Sequence, residues 1–200
     1  MSTSIEREYK TMIQPRDYQR IKDDFESRQA KLIIQSNYYF DTPSLNLKSI
    51  NAALRLRVFN SGAEWTLKVS KNEVESIELT HHLDNSINVP QKLSEDIIQK
   101  FEILEFLSKN NIDISQLVST HSFKTHRLTF SEDCCLWCLD MTDFHYTRDY
   151  ELECELKQHL TQQEWKEKLE KLSIDFHPAP TKIARASFYA QLFKLNFKIM

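Results

Sequence analysis

A chain of 200 residues suits a single domain spanning residues 1–200, long enough to bury a core and short for two. Hydrophobic residues make up 40% and charged residues 28%, with both signs nearly balanced at a net charge of −3, which excludes a disordered chain and a polybasic nucleic-acid binder. The first ten residues hold no apolar signal core, and no run of about 18 apolar residues could span a bilayer, so a soluble cytosolic protein without membrane partners, monomer or homodimer, is expected.

In chain order, period-two alternation predicts strands at Ile5 to Met12, Ala30 to Phe40, Ala53 to Phe59 and Glu64 to Ser70, with a hairpin turn at Asn60 to Ala63 around the one glycine, Gly62. Further strands follow at Val74 to His82, Ser122 to Ser131, Cys134 to Asp140 and Asp149 to Lys157, about eight in all. Helical spacing marks Pro15 to Ser27 through Tyr18, Ile21 and Phe25, and Ser94 to Lys109 through Ile97, Ile98, Phe101 and Leu104. A short helix is expected near Ile112 to Val118. Thr161-Gln162-Gln163-Glu164 reads as a capping box, in which hydroxyl and carboxylate satisfy free amides of the first turn, ahead of Trp165, Leu169 and Leu172. A last helix, Thr181 to Phe197, is expected to pack Ile183, Phe188 and Leu192, its approach set by Pro178 and Pro180.

The strands carry an unusual charge pattern. Residues two apart share a face, so Glu6, Glu8 and Lys10 line up, as do Arg55 and Arg57, and as do Glu151, Glu153 and Glu155. Apolar residues fill the opposite faces, for example Leu54, Leu56 and Val58. Three carboxylates in a row, neighbours about 7 Å apart, repel unless cations neutralise them. Lys68, Lys124 and Arg127 add isolated cations on other strands. A single such strand is ordinary for a sheet with one solvated face. Four together suit a closed barrel whose lumen takes a charged ligand, carboxylates gathering hard cations and Arg and Lys gathering phosphate oxygens.

At these residues the chain resembles the CYTH superfamily, or triphosphate tunnel metalloenzymes, and in particular its small single-domain bacterial members. The resemblance rests on Glu6-x-Glu8-x-Lys10, Tyr38-Tyr39-Phe40-Asp41-Thr42-Pro43, Leu54-Arg55-Leu56-Arg57, Thr66-Leu67-Lys68, Leu139-Asp140, Glu151-x-Glu153 and Lys182-x-x-Arg185, in that order along nearly the whole chain. It implies an α+β fold, an antiparallel eight-stranded tunnel with a charged lumen and flanking helices. It also implies a magnesium- or manganese-dependent enzyme acting on a small-molecule triphosphate, inorganic triphosphate first among the candidates. Thiamine or nucleoside triphosphate hydrolysis, adenylate cyclase activity and non-catalytic polyphosphate or nucleotide binding are the alternatives.

By the same similarity Glu6, Glu8, Asp140, Glu151 and Glu153 would hold metal, with Glu155 beside them. Lys10, Arg55, Arg57, Lys68, Arg127, Lys182 and Arg185 would bind phosphates. Lys124 would join them only if the strand register allows it, replacing a basic residue where His126 stands. Lys10 and Glu78 are the candidate catalytic residues, Glu78 being chosen over Glu73 and Glu75 to orient the water. In the implied mechanism one metal bridges phosphate oxygens, a second acidifies a water, and the cations stabilise charge on the leaving diphosphate.

Three other features read as structural. Cys134, Cys135, Cys138 and Cys154 are expected as thiols; Cys135 and Cys138, three apart on a strand, face opposite ways and fall short of zinc's four ligands. A strict pleat also places Cys134, Leu136 and Cys138 on the Asp140 side, so a bulge or a kink before Asp140 is expected. Trp65, Trp137 and Trp165 read as packing residues, Tyr38 to Pro43 as a strand end and turn, and His81, His82, His121, His145 and His177 as surface or turn residues.

Overall fold

The computed structural model describes residues 2–83, 88–90, 92–132 and 134–198. Eight strands, β1 (Ser2–Met12), β2 (Lys31–Asp41), β3 (Ala52–Phe59), β4 (Gly62–Ser70), β5 (Glu75–Leu83), β6 (Val118–Ser131), β7 (Cys135–Phe144) and β8 (Thr147–Leu156), close into a barrel. Hydrogen bonds join them in the order β1-β5-β4-β3-β2-β6-β7-β8, with antiparallel pairing. Six α-helices accompany them among the described residues: α1 (Pro15–Ser27), α2 (Asn46–Ser49), α3 (Glu95–Ile98), α4 (Phe101–Lys109), α5 (Gln162–Lys171) and α6 (Lys182–Lys198). The expected α+β barrel is thus present.

The chain divides into two compact units, Met1–Glu6 with Gln35–Ser122 and Arg7–Ile34 with Phe123–Met200. Each has its own core. In the first, Leu54, Leu56, Trp65 and Leu67 of the strands pack with Leu47, Ile98, Ile103 and Leu107 of the helices. In the second, Leu128, Trp137, Leu139, Leu152 and Cys154 pack with Ile21 and Phe25 of α1 and Trp165 and Leu169 of α5. Helices therefore cover the apolar face of the strands in both units, and the alternate, charged residues occupy the other face.

Several expectations change. The helix over Ser94 to Lys109 breaks into α3 and α4 at Gln99, whose φ is 51°. On one straight helix Ile98 and Ile103 would stand about 140° apart. The break turns both into the same core and leaves Phe101 72% exposed, against the expected apolar face. Near Ile112 only a 3-10 turn forms, Ile114–Gln116, started by the Asp113 side chain accepting from the Ser115 amide at 2.9 Å; Val118 already belongs to β6.

α2 has no signature because a single turn shows no period. It depends on Asp41, whose carboxylate accepts from the amides of Leu47 at 2.9 Å and Lys48 at 3.1 Å, so the Asp41-Thr42-Pro43 run is a structural turn. The capping box at Thr161 and Glu164 is formed as read. α6 inverts the expectation for its apolar side: Phe188 is 55% and Leu192 42% exposed, whereas Arg185 and Ala186 are buried. The helix docks through ion pairs. Finally, β7 and β8 pair without interruption from Cys135 opposite Leu156 to Phe144 opposite Thr147, so the bulge is absent and Cys138 lies on the charged face opposite Glu153. Burial between carboxylates makes that position tolerable for a thiol and holds it protonated, its pKa well above the usual value.

Candidate active site

In the second unit the strand register builds the site. Lys10 stands opposite Glu153, Glu8 opposite Glu155, Asp140 opposite Glu151 and Arg127 opposite Asp140, so all of them share one face. Asp140, Glu151 and Glu153 are 0%, 1% and 5% exposed, and each offers a carboxylate oxygen within 4.8 Å of the others'. Arg127 holds Asp140 as a fork, Nε to Oδ1 at 2.8 Å and Nη2 to Oδ2 at 2.7 Å, and also reaches Glu153 and, at 3.1 Å, Glu155.

Helix α6 supplies the remaining cations from its first turn. Lys182 Nζ lies 2.8 Å from Asp140 Oδ2 and 2.8 Å from Glu153 Oε1, and touches Glu151 Oε1. Arg185 bonds Glu151 Oε2 and Asp149 Oδ2, each at 2.8 Å. Lys10 pairs with Glu8 at 2.9 Å.

Burial sets the protonation of this group. It disfavours the Asp140 anion, but Arg127 and Lys182 outweigh burial and hold that pKa below the usual carboxylate range. Burial dominates at Glu153, reinforced by Asp140 and Glu8 against the pull of Arg127, and pushes its carboxyl up to about 8. Burial brings Lys182 down to about 7, with Arg127 and Arg185 adding to it and Asp140 opposing.

The first unit carries a second charged face. Arg57 donates from Nε to Asn37 and from Nη1 to Glu64, both at 3.1 Å, and Arg55 lies 3.8 Å from the same Glu64 carboxylate. Burial works against the Arg55 cation, but Tyr39, Glu78 and Glu64 hold its pKa above the usual value. Glu6 bonds Lys68 and accepts from Ser76 at 3.3 Å. Glu78 stands opposite Lys68 with 3.6 Å between their charges, whereas Glu75 pairs with Lys71 on the other side of the pleat. Of the three acidic residues weighed on this stretch, Glu78 is thus the one on the charged face.

One predicted residue falls elsewhere, and two lie outside the metal-ligating clusters. Lys124, three positions from Arg127, is exposed on the opposite face, so the register does not permit it to replace the missing base. Among the described residues the clusters of potential metal-ligating atoms contain neither Glu6 nor Glu8; one contains Glu155, with Cys138 and Glu153. Sequence reasoning overlooked Glu64, which alternates with Thr66 and Lys68, and Asp149, two before Glu151. The same period-two signal marks both.

The donor set is one that hard divalent cations accept: three buried carboxylates with converging oxygens, and a cation, the Lys182 ammonium, already seated among them. Arg127, Arg185 and Lys10 beside it offer charged donors to phosphate oxygens.

Comparison with known proteins places these features. The chain is 29% identical over 192 residues to "Putative triphosphatase YjbK" of Bacillus subtilis (strain 168), covering 96% of this chain and 97% of that protein. A crystal structure from Bacillus halodurans described as a "putative adenylate cyclase" superposes with a TM-score of 0.73 at 26% identity, over 92% of this chain and 98% of that one. The fold also matches HpAC1 from Hippeastrum, TM-score 0.70 at 22% identity, over 92% and 94% of the two chains. The CYTH domain family model matches residues 4–187, and the chain belongs to that family.

Proposed function

We propose that the protein is a divalent-metal-dependent triphosphatase, acting on inorganic triphosphate to give diphosphate and phosphate. The observation that carries this reading is the meeting of three buried carboxylates, Asp140 of β7 and Glu151 and Glu153 of β8, with Arg127 of β6 and with Lys182 and Arg185 of α6. The relative named as a triphosphatase agrees with it.

Asp140, Glu151 and Glu153 would hold magnesium or manganese, with Glu6, Glu8 and Glu155 as further oxygen donors. The ion supplies charge neutralisation on the triphosphate and an acidified water. Arg127, Lys182, Arg185 and Lys10, with Arg55, Arg57 and Lys68, bind and orient the phosphate oxygens and stabilise charge on the departing diphosphate. No protein nucleophile is required. Glu78, held by Lys68, is the residue we assign to orienting the attacking water. The 200 residues act as one catalytic domain in this proposal. The four cysteines are free thiols, which agrees with a reducing compartment, the cytosol. No helix of the described residues is long and apolar enough to cross a membrane.

The test is phosphate release from inorganic triphosphate, ATP and thiamine triphosphate with magnesium, manganese or EDTA, with cyclic AMP followed in parallel. Metal-dependent release fastest on inorganic triphosphate is expected. Cyclic AMP with diphosphate from ATP would make the protein a cyclase, and tight binding without turnover would make it a binder.

A further inference from the structure

The oxygens of the three central carboxylates are divided between two kinds of cation. Arginines take one oxygen of each: Asp140 Oδ1 goes to Arg127 Nε at 2.8 Å, Glu151 Oε2 to Arg185 Nη1 at 2.8 Å, and Glu153 Oε2 to Arg127 Nη2. The other oxygen of each meets Lys182 Nζ, with Asp140 Oδ2 and Glu153 Oε1 at 2.8 Å and Glu151 Oε1 in contact. The Lys182 ammonium thus stands within ion-pair distance of one oxygen of each of the three residues proposed above as metal ligands, and it donates a hydrogen bond to Glu153 Oε1.

We infer that Lys182 is a built-in competitor for the metal: its ammonium and a divalent cation claim the same three oxygens, so metal binding must displace Lys182. This rests on the metal reading above and deepens it. The arginines are suited to stay, being planar forks that fix each carboxylate by its outer oxygen; Asp140 Oδ2, which Arg127 shares at 2.7 Å, keeps that second bond. Lysine is suited to leave, because a point charge on a flexible four-carbon stem can swing without disturbing its neighbours. Lys182 opens α6, while Arg185 and Tyr189 tie the next turns of that helix to Asp149. The stem can therefore move while the helix stays docked. Once displaced, the ammonium is at hand for a phosphate oxygen, so metal binding prepares the triphosphate site and the ion binds first.

Two measurements on the whole chain decide this without reference to turnover. Calorimetric titration of magnesium into Lys182→Gln should show affinity at least about tenfold tighter than wild type, since the variant lacks a charged competitor with several hydrogen bonds. Unchanged or weaker affinity overturns the inference. Nitrogen-15 NMR of the lysine ammonium groups in the wild-type protein needs no variant to fold. The signal of the shielded Lys182 ammonium should shift or vanish on saturation with magnesium; a signal that persists unmoved overturns the inference even if the variant binds tightly. If wild type binds no magnesium at all, the metal reading itself falls, an outcome distinct from binding that leaves Lys182 in place.

Discussion

The two charged faces are built alike and balanced differently. In the first unit Arg55, Arg57 and Lys68 meet Glu6, Glu64 and Glu78, three cations for three carboxylates. In the second, Lys10, Arg127, Lys182 and Arg185 meet Glu8, Asp140, Asp149, Glu151, Glu153 and Glu155, four cations for six carboxylates. One divalent ion, as proposed above, would make good that shortfall of two charges. Burial raises Glu153 to about 8, and the neighbouring carboxylates Asp140 and Glu8 of this acid-rich face add to that rise. The first face has no such deficit, and its cations are available to a polyanion only by exchanging one set of negative oxygens for another.

This difference can be broken deliberately. The largest effect is expected from Glu153→Gln, which replaces a central carboxylate of the second face with a neutral amide. Phosphate release from triphosphate should fall by at least about a thousandfold. Full activity would sink the metal assignment. Arg57→Ala, on the balanced face, should raise KM about ten- to a hundredfold with kcat little changed, as for a charge-assisted contact to the substrate lost from binding. A collapse of kcat at constant KM would show instead that this face acts in the transition state.

The proton held by Glu153 gives a pH dependence with a definite sign. The carboxyl at about 8 is protonated at lower pH and must ionise to ligate, and Lys182 at about 7 loses charge over the same interval. Both changes favour the cation as pH rises. Magnesium affinity should strengthen about tenfold or more between pH 6.5 and 8.5, less steeply in Glu153→Gln. Affinity falling over that interval would contradict the charge count. The smallest effect tests the scaffold alone: Thr161→Ala removes the capping box of α5 and should cost about 1 kcal/mol by denaturant unfolding, leaving metal affinity as it was.

Much of this was legible in the residues, and unevenly. Alternation along a strand is strict, so knowing that Glu6, Glu8 and Lys10 share a face, or that Leu54 and Leu56 oppose Arg55 and Arg57, needs no tertiary information. The same rule already contained Glu64, a single carboxylate alternating with Thr66 and Lys68, and Asp149, which extends the row Glu151, Glu153 and Glu155 by one. Helices were less legible. α1 and α5 bury an uninterrupted apolar stripe and matched their pattern, whereas the break at Gln99 and the exposed side of α6 depend on where the cores lie.

By itself, then, the sequence determined which side chains stand together on each strand and that the charged ones must be collected on one face, because the pleat has a period of two whatever surrounds it. Pairing across strands was decided by tertiary structure. Register sets Arg127 against Asp140. The docking of α6 by Arg185 carries Lys182 in among carboxylates from β7 and β8, about forty and thirty residues earlier in the chain, since only the folded chain holds a buried charge against its partners.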